Sequence, residues 1–206
     1  LCCQRGVALT FLSQHGRFLG RVTGEVSGNV LLRRKQYRWA DDEHETARLA
    51  ARFVIAKVAN SRTVLQRALR DHQGKMQADV VRKAVDYLSK TPGKIGETND
   101  LEQIRGFEGE AAQVYFNSFD QLIVDQKEDF VFQGRVRRPP TDNTNALLSF
   151  VYTLLSHEVQ AALETVGLDP QVGFLHRDRP GRSGLALDLM EEFRPYLADR
   201  LVLNLI

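Results

Sequence analysis

The apolar residues between positions 148 and 166 recur every three or four positions, and this period constrains the fold more than any other feature of the chain. Its members are Leu148, Val151, Leu155, Val159, Ala162 and Val166. Side chains at this spacing form one stripe along an α-helix, and such a stripe has to be covered by another element. Gly167 follows directly, where a glycine is expected to end the helix. The pattern predicts a long helix packed against others.

Three further segments carry the helical period. The first begins near residue 40, where Asp41 and Asp42 are suited to cap its start. The others extend from about Gln77 to Ser89 and from Leu101 to Ile123. Between them, the segment from Thr91 to Asp100 contains the sequence Thr-Pro-Gly, so it is predicted to be a flexible connector.

The first 32 residues favour strands. Val7 to Ser13 is rich in β-forming residues, His15-Gly16 suits a turn, and a second β-rich segment follows. A lone hairpin is marginal in water, so these strands need partners, which we expect upstream of Leu1. The chain begins without Met and ends in an uncapped apolar segment. We therefore expect an internal piece of a longer, mainly α protein.

The composition says little about partners. The chain has 206 residues, and its 28 basic residues nearly cancel its 26 acidic ones, which leaves a net charge of +2. Cys2 and Cys3 are neighbours without further cysteines, so they are predicted to be ordinary reduced residues. No signal peptide is visible, and no apolar run approaches the length of a membrane span. These features predict a cytoplasmic protein with no membrane partner.

The segment from Gly173 to Glu192 groups a histidine, a basic turn and two carboxylates. Arginines flank Pro180-Gly181 directly after His176, and Asp188 and Glu191 are three residues apart on one predicted helix face. Leu185, Leu189 and Phe193 are expected to face the core instead. One interpretation is a solvated acidic face with a surface histidine, which the spacing alone favours. The other is a site for Mg²⁺ or Mn²⁺ beside phosphate-binding arginines.

A metal site there needs another carboxylate, and Glu108 or Glu110 could supply it. Gly106 and Gly109 flank Glu108, and such small residues would let a neighbouring helix approach it closely. The alternative is that the small residues only ease helix packing and that Glu108 is exposed. A second open question concerns the loop from Gly134 to Pro140, whose arginines either form a disordered basic loop or line a track for a nucleic-acid backbone.

Three long segments together resemble the family of the first CRISPR-associated protein, the integrase-nuclease of CRISPR adaptation. They are FEGEAAQVYF, RRPPTDNTNALLSFVYTLL and GLDPQVGFLHRDRPGRSGLALDLMEEFRP, and their order and spacing match the family. SGNVLLRRKQYR also resembles the junction between its two domains. The resemblance implies that residues 1–32 are the end of an N-terminal β domain. Residues 33–206 would be an α-helical catalytic domain truncated at its C-terminus.

The resemblance also implies a function. Members of this CRISPR-associated protein one family are divalent-metal-dependent DNA endonucleases and integrases that insert spacers into the CRISPR array. They use Mn²⁺ or Mg²⁺, form homodimers, and assemble with the second CRISPR-associated protein on prespacer and repeat DNA. Glu108, His176 and Glu191 match the family's metal ligands, and Asp188 matches an acidic position that supports the catalytic site. Neither Asp188 nor Glu191 is assigned to the core.

Five arginines are predicted to contact DNA phosphates on the strength of this resemblance and of their positions. They are Arg137, Arg138, Arg177, Arg179 and Arg182. The sequence departs from the family pattern at Gln113, where arginine is common, and at Ser183-Gly184, which replaces a usual Pro-Ser. Two other functions stay open: a non-catalytic helical nucleic-acid-binding module, and a helical scaffold whose charged faces are solvated surface.

Overall fold

The elements of the fold were assigned in a computed structural model, which describes residues 1–14, 17–24 and 28–206. Within those ranges the chain is mainly helical, as predicted, with one two-stranded sheet. The elements are β1 (Leu9–Leu12), β2 (Phe18–Val22), α1 (Val30–Ala40), α2 (Glu43–His72), α3 (Ala78–Gly96), α4 (Leu101–Phe119), α5 (Asn143–Thr165), α6 (Gly184–Phe193) and α7 (Arg200–Leu205). Short 3₁₀ turns cover Cys3–Arg5, Gln73–Lys75 and Asp120–Leu122, and a π-helical segment, Arg194–Asp199, joins α6 to α7.

Strands β1 and β2 pair antiparallel, with Leu9 opposite Val22 and a register shift between Phe11 and Leu12. The predicted turn at His15-Gly16 lies outside the described residues. Arg21 ties the hairpin to α5, because its Nη1 donates to Glu164 over 2.7 Å. The predicted domain boundary after residue 32 falls inside α1, and the division into two domains stays a prediction.

Helix α1 was not predicted as a helix, and its buried Gln36 shows why it forms here. The Gln36 side chain donates to the carbonyls of Asp169 and Val172 and accepts a hydrogen bond from the Asp169 N–H, at 2.7–2.9 Å. These contacts fix the polypeptide that follows α5. The local start signal is Asn29, whose side chain accepts a hydrogen bond from the Leu32 N–H. Helix α1 therefore holds the loop that leads into the segment containing His176.

Helix α2 is the central element, and it packs on α3, α4 and α6. Asp42 caps it as predicted, because the Asp42 carboxylate accepts a hydrogen bond from the Glu45 N–H over 3.0 Å. Val54, Val58 and Leu65 line its buried face, each with 0–1% of its surface exposed. This central position brings any polar residue on the same face into contact with the neighbouring helices.

The predicted connector from Thr91 to Asp100 is wrong at its start, because α3 continues through Pro92 to Gly96. Pro92 lacks an N–H, which removes one backbone hydrogen bond of the helix. The hydroxyl of Thr91 donates to the Tyr87 carbonyl over 3.1 Å, and Ile95 is completely buried. Burying such a side chain contributes about 1.5–3 kcal/mol, enough to override a local turn signal.

Helix α5 ends just before Gly167 as predicted, and it begins at Asn143, before the first residue of the predicted stripe. Asp142 caps its start over 2.7 Å, and Gly167 ends it with a positive φ of 85°, which favours glycine. No segment was expected to be long and apolar enough to span a membrane, but α5 has the length and the mean hydropathy (1.2) of such a span. One side of α5 nevertheless packs in the protein core through Leu148 and Val151, so its length and composition do not place it in a membrane.

The π-helical segment between α6 and α7 buries the carboxylate of Asp199. Its two oxygens accept hydrogen bonds from Tyr115, at 3.0 Å, and from Tyr152, at 2.6 Å. Burial raises the pKa of Asp199 to about 6 from 3.8, although both tyrosine hydrogen bonds and the nearby Arg194 oppose the rise. Helices α4 and α5 are thereby joined to the end of the chain through one buried group.

The raised pKa predicts how Asp199→Asn changes stability with pH. Between pH 3.8 and about 6 the folded protein retains a proton that the unfolded chain has lost. The contribution of Asp199 is therefore favourable at low pH and is lost as the pH rises through about 6. Asparagine cannot ionise, so the stability of the variant relative to the parent should increase by about 1–3 kcal/mol between about pH 4.5 and about pH 7.5. Urea unfolding at both pH values measures this, and a constant difference would contradict it.

Candidate active site

A buried lysine of α2 lies where three helices meet. The Lys57 ammonium forms an ion pair with Glu108 of α4 and lies 2.5 Å from Oε2 of Glu191 of α6. Oε1 of Glu191 is in turn 3.9 Å from Nε2 of His176. The structure thus brings Glu108 and Glu191, which are far apart in the sequence, onto one cation that was not predicted, with His176 beside Glu191. The one available signal was a lysine within the apolar stripe of α2.

The charges in this cluster stabilise one another. Burial alone would lower the pKa of Lys57, but Glu191 and Glu108 together raise it. Burial would likewise raise the pKa of Glu191, yet Lys57 and Arg194 lower it to about 2. The side chain of Glu108 is 27% exposed, whereas those of Lys57 and Glu191 are 9% and 3% exposed. The cluster therefore opens to solvent on the side of Glu108.

Asp188 binds both the backbone and the ring of His176. Its Oδ1 lies 2.6 Å from the ring Nδ1 of His176 and accepts a hydrogen bond from the His176 N–H over 2.9 Å. Its Oδ2 accepts from the N–H groups of Phe174, at 2.6 Å, and Leu175, at 2.9 Å. The contact at Nδ1 turns the ring so that Nε2 lies on the side of Glu191.

The burial of Asp188 and Glu191 contradicts what their spacing predicts. Asp188 is 0% exposed and Glu191 2% exposed, so the expectation that neither lies in the core is wrong. The solvated acidic face that their spacing favoured is wrong as well. The reason is that backbone N–H groups bind Asp188 and two basic side chains bind Glu191, which compensates for the loss of water.

Two glycines let the histidine loop reach Asp188. A Cβ on Gly173 would lie 2.6 Å from the carbonyl carbon of Gly184 and 2.8 Å from Oδ2 of Asp188. A Cβ on Gly184 would lie 2.8 Å from the carbonyl oxygen of Gln171. Gly184 belongs to the Ser-Gly pair that departs from the family pattern, and here that departure removes a side chain from the contact.

Arg194 extends the cluster toward the interior. It forms an ion pair with Oε1 of Glu191, and its guanidinium lies 5.2 Å from the ring centre of Tyr152, which donates to Asp199. Arg194 was not predicted, because its position three residues after a glutamate is also typical of a surface arginine. It supplies the second positive charge that keeps Glu191 ionised inside the protein.

The arginines predicted to bind DNA differ in their surroundings. Arg137, Arg138 and Arg179 are exposed, and Arg182 is half-buried; none of the four forms an ion pair within residues 1–14, 17–24 and 28–206. Arg177 is exposed but paired with Glu102 over 2.8 Å, so it must exchange that partner to bind a phosphate. Their contacts with DNA stay a prediction.

Arg135 differs from the other arginines of its loop because its guanidinium is bound to α5. Its Nη1 donates to Oδ1 of Asn145 over 2.8 Å, and its Nη2 donates to the hydroxyl of Ser149 over 3.1 Å. Its guanidinium also lies 5.2 Å from the ring centre of Tyr152. Arg135 therefore anchors the loop to α5, and only the arginines that follow it face solvent.

The donor set around Lys57 suits a hard divalent ion. Two carboxylates and an imidazole lone pair are ligands that Mg²⁺ and Mn²⁺ accept. Oε2 of Glu191 is buried and lies 2.5 Å from the Lys57 ammonium. Among the described residues no three acidic, histidine or cysteine side chains are already spaced to hold an ion, since the Lys57 ammonium stands between the carboxylates.

The whole chain matches one protein family. The family described as CRISPR associated protein Cas1 matches residues 1–206. The chain belongs to the Cas1 family. It is 55% identical over 205 residues to CRISPR-associated endonuclease Cas1 1 of Chlorobaculum tepidum and 52% identical over 209 residues to CRISPR-associated endonuclease Cas1 2 of Rhodospirillum rubrum. It spans 60% of the length of each of these relatives.

Solved Cas1-like structures share the fold. A casposase bound to its integration product superposes with a TM-score of 0.81 at 27% identity, over 100% of this chain and 55% of the casposase. A Cas1 protein of Thermotoga maritima gives a TM-score of 0.76 at 28% identity, over 99% of this chain and 61% of that protein. A chain of a Cas6-RT-Cas1–Cas2 complex gives 0.77 at 26% identity, over 100% of this chain and 22% of that chain. The predicted family and the mainly α fold are confirmed.

The close approach of the two glycines predicts that Gly173→Ala is destabilising. The added methyl group would overlap the backbone of Gly184 and the carboxylate of Asp188, so the loop must move away from α6. We expect a loss of about 1–3 kcal/mol in the free energy of unfolding. We also expect a changed NMR signal of the His176 ring, because its bond to Asp188 is disturbed.

Gly106→Ala is the matched control. Gly106 lies inside α4, where an added Cβ meets no atom within 4 Å. The same substitution should there be neutral or stabilising by up to about 1 kcal/mol, since alanine is the better helix former. Thermal or urea unfolding of both variants measures the difference. Equal stability of Gly173→Ala and the parent would show that the glycine contact is not a constraint.

Proposed function

We propose that this chain carries the catalytic centre of a divalent-metal-dependent DNA endonuclease and integrase, which inserts spacers into a CRISPR array. The observation that carries the proposal is that Glu108 and Glu191 both contact the Lys57 ammonium, while the other oxygen of Glu191 lies 3.9 Å from Nε2 of His176. The names of the endonuclease relatives and the likeness to a casposase bound to its integration product support the chemistry. The activity is proposed for the complete protein.

Each residue of the cluster has a distinct task in this proposal. Glu108, Glu191 and His176 would hold Mn²⁺ or Mg²⁺. When bound, the ion supplies a Lewis acid that polarises the scissile phosphodiester. Asp188 keeps the His176 ring turned so that Nε2 points into the site, and Arg194 keeps Glu191 ionised. Beyond serving as a ligand, His176 also has the chemistry to carry a proton.

The surrounding surface would bind the DNA. In strand joining, the 3′-hydroxyl of incoming DNA would attack the phosphorus and displace the 3′-oxygen of the target strand, which leaves as a hydroxyl. In hydrolysis, water would displace the same leaving group. Arg137, Arg138 and Arg179 are exposed cations suited to hold the phosphates on either side. Arg182 joins them at the edge of α6, and Arg177 does so once it leaves Glu102.

We further propose that the complete protein is a cytoplasmic homodimer that assembles with the second CRISPR-associated protein. Two of the similar structures are complexes that contain both Cas1 and Cas2, which supports this partner. The helical scaffold does not account for a carboxylate buried as deeply as Asp188. The non-catalytic binding module accounts for exposed Arg137 and Arg138, but it gives no role to the cluster around Lys57.

Glu108→Gln should abolish metal-dependent activity while leaving the fold intact. Glu108 is the most exposed carboxylate of the cluster, and Glu191 would still neutralise Lys57 in the variant. Branched-DNA cleavage and strand joining in the complete protein with Mn²⁺ should fall more than about 100-fold, beyond the usual cost of losing an indirect partner. Calorimetry should show weaker Mn²⁺ binding, and circular dichroism checks the fold.

Glu110→Gln, two residues along the same helix, is the control for that experiment. The Glu110 carboxylate is exposed and accepts a hydrogen bond from the Tyr87 hydroxyl over 2.7 Å, away from the cluster. Its replacement should leave both cleavage and Mn²⁺ binding at the level of the parent. Full activity of Glu108→Gln would rule out Glu108 as a metal ligand.

Charge reversal at Arg137 and Arg138 should weaken DNA binding and its dependence on salt. Each lost phosphate contact reduces the slope of log K against log salt concentration by about 0.9 on duplex DNA. The double variant should therefore lose about two units of slope, whatever the DNA sequence. Lys83→Glu with Lys90→Glu on α3 makes the same change in net charge at exposed positions. This control should keep the slope, and an unchanged slope in the arginine variant would place the DNA elsewhere.

A further inference from the structure

The cluster at the proposed metal site is charge-balanced as it stands. Lys57 lies between Glu108 and Glu191, and Arg194 binds the other oxygen of Glu191, so two cations face two carboxylates. A divalent ion bound by the same carboxylates would occupy the space of the Lys57 ammonium. Two cations cannot share that space, because they repel strongly at short range in a partly buried site.

We propose that Lys57 is a place-holder for the metal: its ammonium occupies the space between Glu108 and Glu191 without the ion and competes with the ion for both carboxylates. This inference rests on the proposed function, because it takes those carboxylates as metal ligands. It assigns Lys57 a positioning role. The ammonium keeps the two carboxylates facing each other at a separation that the ion later takes over.

The side chain of Lys57 is suited to withdraw. An ammonium on a flexible four-carbon stem can turn away without moving the backbone, whereas a guanidinium would bind both carboxylates in a fixed planar geometry. Because Glu108 is 27% exposed, the cluster has an opening to water on that side, toward which the ammonium can turn. Within the described part of the chain, the only ion pairs of Lys57 are those with Glu108 and Glu191.

Lys57→Met separates this role from ordinary structural support. Methionine fills a similar volume without the charge, so the two carboxylates repel each other until an ion binds. The variant in EDTA should melt about 5 °C lower than the parent. Its dissociation constant for Mn²⁺, measured by calorimetry at constant pH, should be about tenfold lower, within the 5–150-fold range typical of coupled sites. Saturating Mn²⁺ should restore most of the lost melting temperature.

Two further variants keep the test decisive. Arg194→Met removes a cation from the same Glu191 but not from the space between the carboxylates, so it should tighten Mn²⁺ binding less than Lys57→Met does. Lys57→Arg keeps the charge and should weaken Mn²⁺ binding. It also serves as the test if Lys57→Met does not fold.

The outcomes distinguish this inference from the proposed function. Unchanged or weaker Mn²⁺ binding in Lys57→Met, equal tightening in Arg194→Met, or unchanged binding in Lys57→Arg would overturn the place-holder while the metal site stands. Absence of Mn²⁺ binding in the parent and in all three variants would overturn the metal site itself. Mn²⁺ binding by Lys57→Met alone would support the place-holder and contradict a metal-dependent activity of the parent.

Discussion

The carboxylate of Asp188 organises the part of the molecule on which the site depends. It is completely buried, and its oxygens are bound by three consecutive backbone N–H groups and by the His176 ring. A buried anion without such partners would be strongly unfavourable. The loop from Phe174 to His176 is therefore tied to α6, and the histidine cannot turn without breaking a charge-assisted hydrogen bond.

Local signals predicted the parts of the fold that local chemistry determines. The cap at Asp42 and the end of α5 at Gly167 follow from hydrogen bonds and backbone angles within a few residues, so a sequence reader can find them. Helix α1 and the continuation of α3 through Pro92 depend on distant contacts, made by Gln36 and Ile95. No short window of sequence contains those partners.

The residues of the site likewise fall into those that the sequence predicted and those that it did not. Glu108, His176 and Glu191 were singled out because the family resemblance supplied the pairing, and the structure places them together. Lys57 was missed because its carboxylate partners belong to other helices. Arg194 was missed because an arginine three residues after a glutamate usually forms an ordinary surface ion pair. The burial of Asp188 was unpredictable for a related reason. Carboxylates three residues apart on a helix usually face water. Here the close contact of two glycines brings the preceding loop onto α6, and the backbone N–H groups of that loop donate to Asp188.

The ion pairs of Lys57 bear on how the protein is made in the cell. Many small metal sites consist of ligands that repel one another until the ion arrives, so the polypeptide folds only when metal is supplied. Here Glu108 and Glu191 already have a cation between them, contributed by the chain itself. Under the proposed function, the helices that carry these carboxylates would pack before the ion binds. Folding and the proposed binding of metal would then be separate events, with the lysine as the partner of both carboxylates in the first of them.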